Sequence, residues 1–408
     1  MEKINKDEVI SELVRTIKFD PPPKDIGGTF ITRPGIKFYI HSTDKMLHDE
    51  YMSKLWNYNN EIYTNLTYKE FQDRMISFLI SREFKPEPKD NDAFFREILD
   101  LKIRKWDVLK PLFGATIPDE CNKLEFGPYT LYKIEKSNSD TIEELPDHLR
   151  AYMNDEINMT TMFDSLTNIF IAVTIENRSG DRAAELSEEK FNQFEIIMKY
   201  LIGEHPIFDV RIESKDSWKE TYAVCHEDGA FHNNSQRSAP FSQIDMSTPF
   251  FTENEVTKWI WNKIDAVRLT DMESRILAAI MWVGKGINDV DHSNKFIQYM
   301  FALESLFTYQ KRGELVSPSI ANQISEFSAF VLKESSEERK GIVRMVKNLY
   351  GTRSAIAHGR SHSISNEELN DACNLVRSLV DMLIKNEELK HFSEFTDLLK
   401  WVDEKKFS

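Results

Sequence analysis

The last third of the chain repeats one signature: a helix-capping group, then an apolar stripe with the 3.6-residue period of an α-helix. Val256, Trp259, Ile260, Ile264 and Val267 form the first stripe. Thr270 and Glu273 then have the spacing of a capping box, in which hydroxyl and carboxylate satisfy each other's free backbone N–H groups. That box opens a helix with Ile276, Leu277, Ile280 and Val283 inward, and Phe296, Met300, Leu303 and Phe307 make the next stripe. Ser317-Pro318 reads as an N-cap followed by proline at the first helical position, ahead of Ile320, Ile324, Phe327 and Val331. Ser335/Glu338 and Ser365/Glu368 are two further boxes. They precede Ile342, Val346, Leu349 and Tyr350, and then Leu369, Ala372, Val376, Leu379 and Leu383. Six amphipathic helices with short polar joints, from about residue 253 to 388, describe a helical bundle.

The preceding sequence has a different texture. A short amphipathic helix ends at Pro21-Pro22-Pro23, and Lys37-Phe38-Tyr39-Ile40 reads as a strand. Residues from about 44 to 112 look mostly helical, interrupted by the polar link Lys85–Asp90. Tyr129–Tyr132, Ile169–Ile175, Phe208–Ile212 and Thr221–Val224 have strand composition, rich in β-branched and aromatic residues. Between the second and third lies a helix with Ser187 as N-cap and Phe191, Phe194, Ile197 and Leu201 on one face. The polar stretch from Asn233 to Pro249 reads as a linker or long loop. The expected fold class is α+β: an N-terminal mixed α/β region followed by a C-terminal all-α bundle. The expected organisation is a mostly helical part over 1–120, a mixed part over 121–250 that joins it or serves separately as a sensor, the bundle over 251–390, and a tail over 391–408.

Several function classes are disfavoured early. There are 14 glycines in 408 residues, which disfavours Gly-rich phosphate loops, and neither a Walker A nor a dinucleotide fingerprint occurs. No G-x-S-x-G elbow occurs either. Cys121, Cys225 and Cys373 are too few and too scattered for a disulfide framework or a CxxC zinc site. Cys225-His226-Glu227-Asp228 with His232 matches no zinc spacing and is read as strand-to-loop polar sequence, so no metal and no cofactor are expected. The charged start of the chain lacks the apolar core of a signal peptide, and the longest apolar stretch, Ile276 to Val283, falls far short of the roughly 18 residues needed to span a bilayer. The expectation is a soluble, cytoplasmic protein without a membrane partner.

A net charge of −15 argues against a surface that is uniformly a nucleic-acid footprint. The charge is unevenly placed, however. From Arg339 to Asn366, 28 residues, there is no Asp or Glu, where 67 acids in 408 residues would place four or five. The window holds Arg339, Lys340, Arg344, Lys347, Arg353 and Arg360 with His358 and His362, and setting its six cations aside takes the rest of the chain from −15 to −21. A polyanion would meet this protein there.

Within that window stands Leu349-Tyr350-Gly351-Thr352-Arg353-Ser354-Ala355-Ile356-Ala357-His358-Gly359, with an Arg-x4-His core. Taken alone that core is weak, and an inert helix junction with a surface histidine is the competing reading. Together with Phe301-Ala302-Leu303-Glu304-Ser305-Leu306-Phe307 some 40 residues earlier, it resembles the ApeA-like branch of the HEPN superfamily. The resemblance covers roughly residues 253–388. It implies a helical bundle that forms a homodimer and acts as a metal-independent endoribonuclease in bacterial anti-phage defence, on tRNA or other structured cellular RNA. It also implies that Arg353 and His358 are catalytic and face their two-fold mates. Many members place Asn, Asp or His directly after the arginine, where this chain has Ser354. A non-catalytic HEPN dimerisation module with an N-terminal ligand- or protein-binding part is the alternative. Because a ribonuclease of this kind is toxic, residues 1–250 are expected under the first reading to sense a phage or host trigger or to restrain the bundle.

The chemistry suits these residue types. RNA is cut without metal when its own 2′-hydroxyl attacks the adjacent phosphorus, which needs a group that exchanges protons near neutral pH and a cation on the phosphoryl oxygens. Five residues of ideal helix turn through about 500°, which leaves Arg353 and His358 about 140° apart. Either Gly351-Thr352 breaks the helix, or a two-fold dimer supplies complementary pairs. Glu304 is either a solvated position or a group that orients Arg353 from a neighbouring helix. Arg344, Lys347, Arg360 and His362 are candidate contacts to the RNA backbone, the last two otherwise ordinary loop residues. Tyr350 reads as core rather than as a base-stacking platform, and Trp259, Trp261 and Trp282 as packing.

Overall fold

The computed structural model describes residues 5–18, 28–33, 36–84, 90–134, 145–147, 149–150, 167–205, 207–212, 218–224, 231–237, 242–309, 319–359 and 363–407. Two compact units emerge: Met1–Val108 with Thr174–Glu189, and Leu109–Val173 with Lys190–Ser408.

In the first unit, helix α1 (Lys6–Arg15) leads into β1 (Ile17–Lys18), which joins β2 (Gly28–Arg33) and β3 (Ile36–His41) in an antiparallel sheet of order β1-β3-β2. Helices α2 (Lys45–Trp56), α3 (Asn60–Asn65), α4 (Tyr68–Phe84) and α5 (Asn91–Leu99) follow. They bury Ile10, Leu13, Met52, Leu55, Ile62, Phe71, Met75, Phe94 and Phe95 in one core. Helix α4 also opens on a capping box: Thr67 Oγ1 accepts from Glu70 N at 3.1 Å while Glu70 Oε2 accepts from Thr67 N at 3.0 Å.

The helical expectation for 44–112 fails at its end. Arg104–Phe113 is a strand, β4. It lies between β8 (Ile169–Asn177) and β9 (Arg211–Ile212) in the five-stranded sheet β6-β7-β8-β4-β9, with β6 (Lys123–Phe126) and β7 (Tyr129–Lys133) as an antiparallel hairpin. Its neighbouring strands begin at Ile169 and Arg211, more than 50 residues downstream of its last residue, where no local periodicity can register them. The strands expected at Tyr129–Tyr132 and Ile169–Ile175 are present in β7 and β8. Helix α6 (Gly180–Ile202) starts seven residues before Ser187. Ser179 Oγ accepts from Arg182 N at 3.0 Å and is the capping group. Ser187 lies inside the helix, where its hydroxyl donates to Ala184 O at 2.6 Å, the back-bonding that lets serine sit mid-helix.

The polar stretch expected as a loop from Asn233 is partly strand. β11 (Phe231–Arg237) pairs antiparallel with β10 (Trp218–Val224), and β12 (Ile244–Asp245) pairs in parallel with β5 (Ala115–Thr116).

In the second unit the sheet and the helical region share aromatic packing. Tyr129 meets Phe194 edge-on with ring centroids 5.1 Å apart, and Phe194 stacks on Trp261 at 5.8 Å. The helical region comprises α7 (Pro249–Thr252), α8 (Glu255–Lys263), α9 (Asp271–Asn288), α10 (His292–Phe307), α11 (Ile320–Leu332), α12 (Ser336–Ala357), α13 (Asn366–Lys385) and α14 (Phe395–Phe407). The last of these occupies the segment read as a tail and buries Phe395, Leu398 and Val402. The stripes of α10 and α13 are buried as expected. Val267 is 98% exposed because α8 ends four residues before it, and Ile320 is exposed at the first turn of α11. Leu277 and Tyr350 are half-buried.

Both boxes at Thr270/Glu273 and Ser365/Glu368 form, whereas Ser335 accepts from Glu338 N and donates to its carboxylate, half of the expected exchange. Ser317 and Pro318 lie outside the described residues; the cap of α11 is Ser319, which accepts from Asn322 N. Gly284 is a contact residue, since a Cβ there would lie 2.1 Å from Ile196 O, so α9 and α6 touch backbone to backbone. Among the described residues no helix is long and apolar enough to cross a membrane.

Candidate functional site

Helix α12 carries the Arg-x4-His segment and is continuous through Gly351 and Thr352 to Ala357, which removes the option of a helix break. It stops at His358, whose N–H donates to Ser354 O at 3.1 Å. Gly359 then turns left-handed with φ +68°, its N–H bonded to Ile356 O at 2.9 Å, the αL exit that glycine adopts without steric penalty.

At about 100° per residue, α12 has two chemically distinct faces. Val346, Leu349 and Arg353 point to the packed side, Val346 and Leu349 being buried. Lys340, Arg344, Lys347, Gly351, Ser354 and His358 share an outer stripe about 80° wide; all are exposed except half-buried Ser354. Arg353 and His358 therefore leave the same helix end in directions about 140° apart.

Arg353 lies against α10. Its Nε is 3.2 Å from Glu304 Oε1, with the side chains 26% and 18% exposed. The two atoms are paired in charge but not aligned, for neither has a satisfactory hydrogen-bond partner. The guanidinium carbon is 5.9 Å from the Phe301 ring and 5.7 Å from that of Tyr350, within cation–π range. Burial raises the Glu304 carboxyl above its ordinary range, and the attraction of Arg353 opposes this only in part. Burial and the Glu304 charge push the Tyr350 phenol up, with Arg353 opposing. Thr352 Oγ1 donates to Glu368 Oε1 at 2.9 Å, tying the same turn to the start of α13.

Of the two readings left open for Glu304, the structure places it beside Arg353 rather than in solvent. His358 is not brought to that pair within one chain. Arg344 and Lys347 stand on the outer stripe, and Arg360 and His362 lie outside the described residues. Phe301 was in the quoted segment without a role; it lies one turn before Glu304, the signal that could have placed it beside Arg353. Gly351, one half of the candidate helix break, instead sits within the continuous helix. Among the described residues a Cβ there would meet nothing within 4 Å, so its presence mid-helix, at about 1 kcal/mol relative to alanine, has no packing reason among them. Gly341 is similarly open but lies about 100° round from the centre of the stripe.

Among the described residues no three His, Cys, Asp or Glu side chains gather as metal ligands. Cys121 and Cys373 are free thiols, and Cys225 to Asp228 lie outside the described residues. No family model matches the chain, and no curated protein or solved structure shows significant similarity to it.

Proposed function

We propose that this protein is a HEPN-type, metal-independent endoribonuclease that works as a homodimer, with Arg353 and His358 as the catalytic pair. The observation that carries the reading is the unbroken end of α12: it holds a half-buried arginine braced by a carboxylate and, 140° away, an exposed histidine, within a stretch of sequence that contains no acid. One chain cannot turn both groups onto one phosphate, and two chains related by a two-fold axis can.

In that arrangement the imidazole of one His358 takes the proton of an RNA 2′-hydroxyl as the O2′–P bond forms. The P–O5′ bond breaks, and the same imidazole, now protonated, returns the proton to the leaving oxygen. The products are a 2′,3′-cyclic phosphate and a 5′-hydroxyl. Arg353 balances the charge that grows on the phosphoryl oxygens, a task suited to its planar fork. Glu304 approaches from the Nε edge and orients the fork. General acid–base help is worth about 10²–10⁴-fold, so one histidine and one arginine per site suffice for a modest nuclease. The substrate class is tRNA or other structured cellular RNA, and cleavage stops an infected cell from supporting phage. Residues 1–250 receive the trigger.

A second reading, a non-catalytic dimerisation module with an N-terminal binding part, is favoured by the engagement of Arg353 with Glu304, Phe301 and Tyr350 in its own fold. Sequencing RNA ends after induction separates the two. Arg353→Ala and His358→Ala each abolish cleavage and toxicity while the dimer stays folded, and cleavage by the unaltered protein persists in EDTA. Both variants remaining fully active sinks the catalytic assignment.

A further inference from the structure

The outer stripe of α12 has a composition that the fold does not require. Lys340, Arg344 and Lys347 precede Gly351 along it, and Ser354 and His358 follow. Lys340 also reaches Glu337 at 3.2 Å, while no acid occurs anywhere from Arg339 to Asn366. In the middle of this cationic line stands Gly351, around which a Cβ finds open space among the described residues. A glycine that serves neither a left-handed turn nor a close internal contact leaves its helix backbone accessible from outside. The flanking charges give the chemistry of what approaches.

We infer that this stripe is the track of a single-stranded RNA backbone, about 27 Å long from Lys340 to His358, with Gly351 its point of closest approach to the helix. The inference rests on the ribonuclease reading, because the track ends at His358. A second copy of the chain fits the stripe poorly: two-fold pairing there would set Arg344 and Lys347 against like charges. A single strand fits better than a duplex, because A-form geometry holds the 2′-oxygen out of line with the P–O5′ bond. On the track, Arg344 and Lys347 hold phosphates, and the nucleotide passing over Gly351 delivers the next phosphate toward Ser354 and His358.

The test measures binding apart from cleavage, by fluorescence anisotropy of the full chain with a single-stranded 2′-O-methyl RNA oligonucleotide of mixed sequence, which cannot be cut. Gly351→Leu is expected to weaken binding roughly tenfold, the size of one lost close contact, without lowering Tm. Arg344→Ala and Lys347→Ala are each expected to flatten the salt dependence of log K by about 0.7. Absence of binding by the unaltered chain, or unchanged affinity in all three variants, overturns the track. So does a Gly351→Leu protein whose oligomeric state changes while its RNA affinity does not, which would assign the stripe to a second copy. If the three variants bind weakly while the unaltered chain cuts no RNA, the track stands and the ribonuclease reading falls.

Discussion

Arg353 Nε lies 3.2 Å from Glu304 Oε1, yet neither atom completes a hydrogen bond, and burial holds the carboxyl above its ordinary range in spite of the neighbouring cation. A partly buried ion pair of this kind loses nearly as much hydration as it gains in attraction. Its contribution is direction: it fixes which edge of the guanidinium faces inward.

The first prediction follows from the sign of that shift. Between the unfolded carboxyl value of about 4.3 and its raised folded value, the native state binds more protons than the unfolded chain. Stability contributed by Glu304 is therefore full below the unfolded value, falls as pH rises through the folded one, and is level above. Glu304→Gln should remove this slope and leave stability at neutral pH within about 1 kcal/mol of the unaltered protein or above it. Arg353→Ala, which strands the carboxylate, should cost about 1–3 kcal/mol there. Urea denaturation across pH checks both, and a loss of several kcal/mol in Glu304→Gln at neutral pH contradicts the account.

Two glycines should respond oppositely to the same substitution. Gly284→Ala drives a Cβ to 2.1 Å from Ile196 O, against backbone that cannot step aside, and should cost about 3 kcal/mol or more. Gly351→Ala meets nothing within 4 Å and should stabilise by about 0.4–1 kcal/mol through helix propensity and a less flexible unfolded chain. Thermal unfolding of the two variants side by side reads the contrast. A stabilised Gly284→Ala would show that α6 and α9 do not touch there.

Arg377 on α13 donates through Nη2 to the carbonyls of Tyr200 and Leu201, two of the unpaired acceptors at the end of α6, where Gly203 turns left-handed at φ +81°. Arg377→Ala should cost about 1–3 kcal/mol, because part-buried carbonyls lose a charged donor. Arg377→Lys should recover part of it, since an ammonium reaches fewer acceptors than a guanidinium. Hydrogen exchange localised to residues 199–203 supplies a second reading, with protection lost in the alanine variant.

What was legible in the sequence was whatever is written locally. The Thr270/Glu273 and Ser365/Glu368 boxes and the stripes of α10 and α13 depend on neighbours within one or two turns, and they appear where the pattern places them. Strand β4 was not legible, since Trp106 Nε1 finds its acceptor at Asn177 O, 71 residues away. Ser187 was misread for a related reason: a serine before an apolar stripe resembles a cap, and the eight residues that precede it carry only a weak stripe of their own. In the candidate site, Arg353 and His358 were singled out from their segment and Glu304 from its apolar run. Their approach or separation in space came from the helix packing, and Gly351 acquired meaning only when its surroundings proved to be open.

The last prediction bears on whether the site is shared between two chains. On the continuous helix, Arg353 and His358 diverge by about 140°, so a site confined to one chain would leave one group facing away from the phosphate. Arg353→Ala and His358→Ala chains, each inactive alone, should therefore complement when unfolded together and refolded as a mixture. In a mixed dimer, Arg353 from one chain meets His358 from the other at one of the two sites, while the second site has neither. Random pairing makes half of the dimers mixed, so activity should return to about a quarter of that of the unaltered protein. Cleavage of a labelled RNA by the mixture, compared with each variant refolded alone, reads this directly. If the mixture is no more active than its components while mass analysis finds mixed dimers, Arg353 and His358 do not act across the two-fold axis.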